Sequence, residues 1–308
     1  MLRLRSLTLP ARRKWVRCVF ALGALAVLVW LAASFAVASR LTRRARPLTP
    51  EPLPAVPWGA AEALTLNTSD GQTLGAWFFP GRADRPAVVL LHGNGESRTA
   101  CLPQAELLAR AGYAVLSVTL RAHGDSTGAA NDFGLSARHD VIAALGWLDA
   151  KRPGTPVVVW GRSLGAAAAL FAAPDLGSRV CGYVLECPYR DLRTAVRNRL
   201  RVYLPPVLDV IAYAGLRGAA PLVLPDFDRI SPLEAAAGIP RETPVLVLTG
   251  SADRRATPDE ARAIVERLGP RAELIVIEGG DHLQLSKPDP ARYRAAVLGF
   301  LAKCPHGP

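Results

Sequence analysis

Hydrophobic positions along this chain fall into three patterns. The first is one unbroken apolar run, Cys18–Ser39, that carries no charge. As a helix its 22 residues would reach about 33 Å, against a bilayer hydrocarbon core of about 30 Å. The second is a series of short apolar runs, Val88–Leu91, Tyr113–Leu120, Pro156–Trp160, Val180–Glu186, Thr243–Thr249 and Glu273–Glu278. Segments of helical character separate them: Thr99–Arg110, ended by Gly112, then Ser136–Ala150, the stretch from Ala166, and Pro258–Leu268. Strands apolar throughout, alternating with helices, predict a mostly parallel, twisted sheet covered on both faces, the α/β class. Ahead of them, Ala63–Leu66 and Leu74–Phe79 flank Ser69-Asp70-Gly71-Gln72, which predicts an opening hairpin. The third pattern is a break. Between Tyr189 and Ile239 the alternation stops, with an amphipathic helix at Arg193–Arg201 and then apolar, Pro-rich sequence from Leu204 to Pro225.

Charge changes the picture mainly at the N-terminus. The formal net charge is +11, which could signal nucleic-acid binding. Ten of the basic residues, Arg3 to Arg46, precede the first acid, Glu51, and the remainder is balanced at 27 basic against 26 acidic. The excess therefore flanks the apolar run and makes no phosphate-binding surface. Six basic residues before the run and four after it place the N-terminus in the cytoplasm by the positive-inside rule. The expected organisation is a basic tail (1–17), a membrane span (18–39), an Arg/Pro-rich extended linker (40–57) and one domain (58–303). A competing reading takes Ala36-Val37-Ala38 as the cleavage site of a signal peptide. Either way the domain is exported, as in a single-pass protein of the bacterial inner membrane facing the extracytoplasmic side. Cys181 and Cys187 fall at opposite ends of one strand, about 20 Å apart at 3.3 Å per residue, too far to pair. Buried free thiols are expected. No metal-ligand spacing and no glycine-rich nucleotide loop is visible, so neither a metal nor a cofactor is expected.

The chemistry gathers at Gly161-Arg162-Ser163-Leu164-Gly165, between the run Pro156–Trp160 and the helix-forming Ala166–Leu170. Strand, tight turn with serine at its tip, then helix is a nucleophile elbow. Strand and helix cross so closely that only small residues fit two positions from the serine, where Gly161 and Gly165 stand. A serine needs an imidazole to take its proton and a carboxylate to orient that imidazole. His92, His123 and His139 precede the serine, and His306 is in the last three residues, which leaves His282, just after a strand. Asp253 follows the strand Thr243–Thr249, at the strand end where such sheets gather catalytic groups. Asp226, Asp228 and Asp259 are its rivals, and Asp281 is too close in sequence to His282. The oxyanion hole would take the backbone N–H of Leu164 and, from the glycine-flanked loop His92–Gly95, that of Asn94. His123, Asp125 and Ser126 are read as loop-stabilising.

These residues resemble the α/β-hydrolases, and specifically a single-pass, N-terminally anchored subgroup with a short lid. The matching features are Leu91-His92-Gly93-Asn94, Arg121–Ser126, Gly161–Gly165, Gly250–Asp253 and Gly280-Asp281-His282. The resemblance spans about residues 60–302. It implies an α/β-hydrolase fold with a short helical lid, and a Ser163–His282–Asp253 triad cleaving acyl esters or thioesters through an acyl-enzyme. Its members also include peptidase-like enzymes, and a non-catalytic binding protein of the same fold is the remaining alternative. Ala122, where a glycine is frequent, and Cys187, where a serine is more usual, depart from the pattern. Residues of about 190–239 would form the lid, whose Leu, Val and Ile side chains either line an acyl pocket or pack the lid down. The expected partners are a lipid-like or small acyl substrate and the membrane, with no nucleic acid.

Overall fold

A computed structural model describes the backbone of residues 9–305 and the side chains of residues 13–305. Arg3, Arg5, the Arg12 side chain and His306 lie outside the described residues. The strands are β1 (Glu62–Asn67), β2 (Thr73–Phe79), β3 (Ala87–Leu91), β4 (Ala114–Val118), β5 (Val157–Arg162), β6 (Val180–Glu186), β7 (Val245–Gly250) and β8 (Ala272–Ile277). They form one sheet in the order β1-β2-β4-β3-β5-β6-β7-β8. The β1–β2 hairpin and β2–β4 are antiparallel, and every pairing from β4 to β8 is parallel. Strands β3, β4 and β7 are buried along their whole length. This is why they read as continuous apolar runs and not as alternating ones.

Helices α2 (Leu102–Arg110), α3 (Arg138–Lys151), α4 (Leu164–Leu176), α8 (Pro258–Leu268) and α9 (Pro290–Leu301) cover the sheet. One core lies under α3, α4 and α8, and the other under α2 and α9. The pattern of apolar positions had not singled out α9. Its start is written in Asp289, whose side chain accepts from the Arg292 amide, with Pro290 at the first helical position. The cysteines are free thiols; Cys101, Cys187 and Cys304 are buried, and Cys181 hydrogen-bonds Cys304.

The segment between β6 and β7 holds α5 (Leu192–Tyr203), α6 (Leu208–Val223) and the short α7 (Pro232–Ala235). The stretch read as apolar and Pro-rich within the expected helical lid is mostly helix. Pro205 and Pro206 precede the first turn of α6, and Pro221 falls in its last, so none breaks the helix centre. Phe227, Ile230 and Leu224 seal this lid against Tyr189 and Leu192.

The N-terminal helix α1 runs from Leu9 to Leu41, longer at both ends than the expected span. Its Arg13–Leu41 part is long and apolar enough to cross a membrane. It does not stand free of the domain. Trp30 Nε1 donates to the Ile211 carbonyl over 3.3 Å, and a Cβ on Gly215 would lie 2.1 Å from Ser34 Oγ. Residues 30 and 34 therefore lie against 211 and 215, so α1 and α6 run parallel and in register. The segment expected as an extended linker is also strapped down. The Arg44 amide donates to Ala129 O (2.8 Å), its guanidinium bonds the carbonyls of Ser126 (2.6 Å) and Gly124, and Glu51 pairs with the buried Arg98 at 3.0 Å. An arginine facing several carbonyls, and a carboxylate facing a buried guanidinium, hold an extended chain that composition alone would leave loose.

Candidate active site

Ser163 sits between the end of β5 and the start of α4, at φ 51° and ψ −107°. A non-glycine residue in the left-handed region stores about 1–3 kcal/mol of strain. The surroundings hold it there: its amide donates to Glu186 O (2.8 Å) on β6, and its carbonyl accepts from Ala167 N (3.0 Å). A Cβ on Gly161 would come within 2.2 Å of Gly165 O, and one on Gly165 within 2.4 Å of Leu91 O. Only bare backbone allows strand, turn and helix to approach this closely.

His282 and Asp253 arrive from the ends of β8 and β7. Those two loops are laced together: Ala252 N donates to Gly280 O (2.9 Å), and Gly279 N to Ser251 Oγ (2.8 Å). A side chain at Gly250 would strike Gly280 O at 2.0 Å, so the glycine sets the distance between the loops. Asp253 Oδ1 accepts from the amides of Arg255 (2.8 Å) and Ala256 (2.9 Å). Its Oδ2 lies 2.7 Å from His282 Nδ1, and His282 Nε2 lies 3.1 Å from Ser163 Oγ. Ser163, Asp253 and His282 are 7%, 2% and 8% exposed. This arrangement lets the hydroxyl pass its proton to Nε2 as it attacks, while the buried carboxylate steadies the imidazolium.

The rival carboxylates lie elsewhere. Asp228 is shared by Arg193 and Arg217, Asp226 pairs with Arg229, Asp259 with Arg262, and Asp281 caps the Leu283 and Gln284 amides. Cys187, at φ 47°, brings its thiol to within 4.8 Å of the His282 and Asp253 donor atoms. Three such atoms could in principle hold a metal. Nδ1 and Oδ2, however, are only 2.7 Å apart, whereas two donors on a tetrahedral zinc keep about 3.3 Å. Burial, with the Asp253 carboxylate beside it, raises the Cys187 thiol well above its ordinary pKa and keeps it a neutral neighbour.

The loop after β3 carries Asn94. Buried His92 holds this loop: its Nδ1–H donates to Gly93 O (2.8 Å) and its Nε2 accepts from Leu120 N (2.9 Å). Burial, and then His123 nearby, push its pKa down to about 3, so it is neutral. Glu96 accepts from Gly93 N (3.0 Å) and pairs with Arg162 of the elbow. The sequence did not single out these supports, nor Asn131, whose Nδ2 donates to Asn94 Oδ1 at 2.7 Å. His123, Asp125 and Ser126 hold their loop: Asp125 grips Arg98 at 2.6 and 2.7 Å, and Ser126 Oγ donates to Thr119 O at 2.6 Å. His123 Nδ1 lies 2.8 Å from Arg121 O.

Asn94, Ser163, Leu164 and His282 open together into a cavity of about 280 Å³. Its walls are largely apolar: Phe133, Leu200, Tyr203 and Leu216, with Leu41 from the end of α1.

A mostly parallel eight-stranded sheet with a serine on a strained strand-to-helix turn defines the α/β-hydrolase fold. The chain belongs to the alpha/beta hydrolase family, whose sequence model matches residues 88–296. The human protein ABHD12B is 31% identical over 194 residues, 60% of this chain and 50% of that protein. The lysophosphatidylserine lipase ABHD12 of Xenopus tropicalis is 26% identical over 150 residues, 46% of this chain and 37% of that protein. The chain thus spans half the length of the first of these relatives or less. Among solved structures, an esterase of Pyrococcus furiosus superposes with a TM-score of 0.69 at 24% identity, covering 83% of this chain and 97% of that one.

Proposed function

We propose that the protein is a membrane-anchored serine hydrolase that cleaves acyl ester or thioester bonds of a lipid-like substrate. The observation that carries this reading is the hydrogen-bonded series Ser163–His282–Asp253 beneath an apolar cavity. Ser163 Oγ attacks the acyl carbon and its proton passes to His282 Nε2. The amides of Asn94 and Leu164 hold the oxyanion. His282 returns the proton to the departing alcohol or thiol, leaving an acyl-Ser163 ester. Water, deprotonated by His282, then releases the acid and restores the serine. The lipase activity named for the Xenopus tropicalis relative favours a lipid-like acyl substrate.

The anchor in this reading is α1, with the N-terminus in the cytoplasm and the hydrolase domain on the other side. From Cys18 to residue 27, the level at which α6 begins to flank it, α1 covers only about 14 Å, short of the hydrocarbon core of about 30 Å. To span the membrane, α1 takes the start of α6 in with it. That end carries Val207, Val210 and Ile211, all exposed and apolar. Cavity and membrane surface then lie side by side.

The test is hydrolysis of p-nitrophenyl esters from acetate to palmitate by the full chain in detergent, wild type beside Ser163→Ala. Hydrolysis that depends on Ser163 and favours long chains is expected. Equal turnover by both proteins would overturn the reading.

A further inference from the structure

Two arginines break the apolar character of the cavity. Arg199 and Arg255 both line it, beside Ser163 and His282. Of the other lid arginines, Arg193 and Arg217 share Asp228, Arg190 meets Asp191, Arg229 meets Asp226, Arg201 reaches Asp209 at 3.9 Å, and the exposed Arg197 lies over the Tyr213 ring. Arg199 is different. It is half-buried, yet its guanidinium has no hydrogen-bond or ion-pair partner among the described residues. Burial lowers its pKa, and the like charge of Arg255 adds to this. Arg255 is held by the Tyr203 hydroxyl and lies 5.6 Å over the Tyr203 ring, without a carboxylate partner among the described residues.

The acidic groups in reach are occupied. Asp253 is spent on two amides and His282. Glu260 is buried and binds the amides of Arg190 and Thr257 and the Asn198 side chain. Buried charges are ordinarily paired, because an unpaired one loses its hydration with nothing in return. Two guanidiniums lining one cavity beside Ser163, with no carboxylate paired to either among the described residues, are satisfied by an anion carried in by the ligand.

We propose that Arg199 and Arg255 bind an anionic group of the substrate, of phosphodiester or carboxylate chemistry, placed on the leaving-group side of the scissile ester. This rests on the hydrolase reading above and names the class of substrate within it. The acyl chain lies along Leu41, Leu200, Leu216 and Phe133, and the anion meets the arginines. The pair acts on binding and orientation, and the proton transfers stay with Ser163 and His282.

The experiment uses the full chain in neutral detergent and three palmitoyl esters: monopalmitoylglycerol, palmitoyl-glycerophosphoglycerol, and palmitate esterified to a hydroxycarboxylic acid. Wild type is expected to prefer the charged esters by about tenfold or more in kcat/KM. Arg199→Gln should erase that preference by raising KM for the charged esters by a larger factor than for monopalmitoylglycerol, and Arg199→Lys should restore part of it. The two charged esters distinguish phosphodiester from carboxylate. Equal rates of wild type on neutral and charged esters would overturn the proposal, as would an Arg199→Gln loss shared equally by all three. Binding of the corresponding ether-linked lipids, which cannot be hydrolysed, is measured in parallel. An anion preference there that depends on Arg199, without hydrolysis of any ester, would leave the anion site standing and bring down the hydrolase reading instead.

Discussion

Asn131 reaches across from a neighbouring loop to donate its side-chain amide to Oδ1 of Asn94 at 2.7 Å. Asn131 is itself fixed from two sides, since its amide bonds the Thr42 carbonyl just past α1 and its Oδ1 accepts from Phe133 N at 3.1 Å. The residue proposed to stabilise the oxyanion is thus positioned through one side chain that the end of α1 holds in place. A net hydrogen bond of this kind contributes about 0.5–1.5 kcal/mol. Asn131→Ala should lower kcat about three- to tenfold with little change in KM, measured on a p-nitrophenyl ester. A change confined to KM would show that Asn131 shapes the pocket and not the oxyanion site.

Removing the reacting groups should cost far more. Ser163→Ala is expected to lower kcat by about 10⁶ and to abolish labelling by a fluorophosphonate probe. Asp253→Asn, which keeps the shape but disturbs the imidazole tautomer, should cost about 10⁴. Both proteins should keep the wild-type circular dichroism spectrum. A fluorophosphonate adduct on the Ser163→Ala protein would mean that another residue is the nucleophile.

Acid should unfold the protein through His92. Burial holds its folded pKa at about 3, against about 6.5 in an unfolded chain. Above pH 6.5 both states are neutral and the histidine makes no difference. Between pH 6.5 and 3 the unfolded chain takes up a proton that the folded one refuses, so stability falls as the pH falls. At pH 5 this amounts to about 2 kcal/mol, at about 1.4 kcal/mol per pH unit. Chemical denaturation at pH 7.5 and pH 5 should show the loss, and His92→Gln, which can still accept from Leu120 N, should show a smaller one. Buried His123 is shifted in the same direction by burial, so some pH dependence should remain in that variant.

Ala122 departs from the glycine frequent at its position, and it stands at φ 60°. An alanine there bears about 1–2 kcal/mol of backbone strain, partly offset because glycine loses more entropy on folding, about 0.4–1 kcal/mol. Ala122→Gly should therefore stabilise the protein by about 0.5–1 kcal/mol, read from the denaturation midpoint. A destabilised variant would mean that the alanine methyl packs well enough to outweigh the strain.

What the sequence made legible follows from how local each signal is. Ser163, Asp253 and His282 each follow a strand of apolar residues, which singled each out, although Asp226, Asp228 and Asp259 remained rivals until the strand order brought those three ends together. Gly161 and Gly165 were readable for the same reason, since the crossing of strand and helix happens within five residues. Arg199 was not singled out, because a lone arginine on an amphipathic helix looks like any solvated one until its neighbours are known. Asn131 and Leu41 lie 37 and 53 residues from Asn94 in sequence, and only tertiary packing brings them near it. Helix α6 was hidden by its flanking prolines. The docking of 40–57 rests on Arg44 finding the carbonyls of Ser126 and Gly124, 82 and 80 residues away, and on Glu51 finding Arg98, 47 residues away, which local composition does not encode.

The register of Ser34 against Gly215 makes α1 part of the lid's tertiary structure. Glycine at 215 allows the two backbones to approach as a larger residue would not. Cutting the chain after residue 46, the ordinary way to obtain a soluble domain, would do more than detach it from a membrane. It would strip one side of α6 to solvent, take Leu41 out of the wall beside Ser163, and release Asn131 from the Thr42 carbonyl. If the proposed function holds, such a fragment should show a looser chain-length preference and a weaker hold on Asn94 than the full chain. The N-terminal helix and the wall of the cavity are thus one piece of structure.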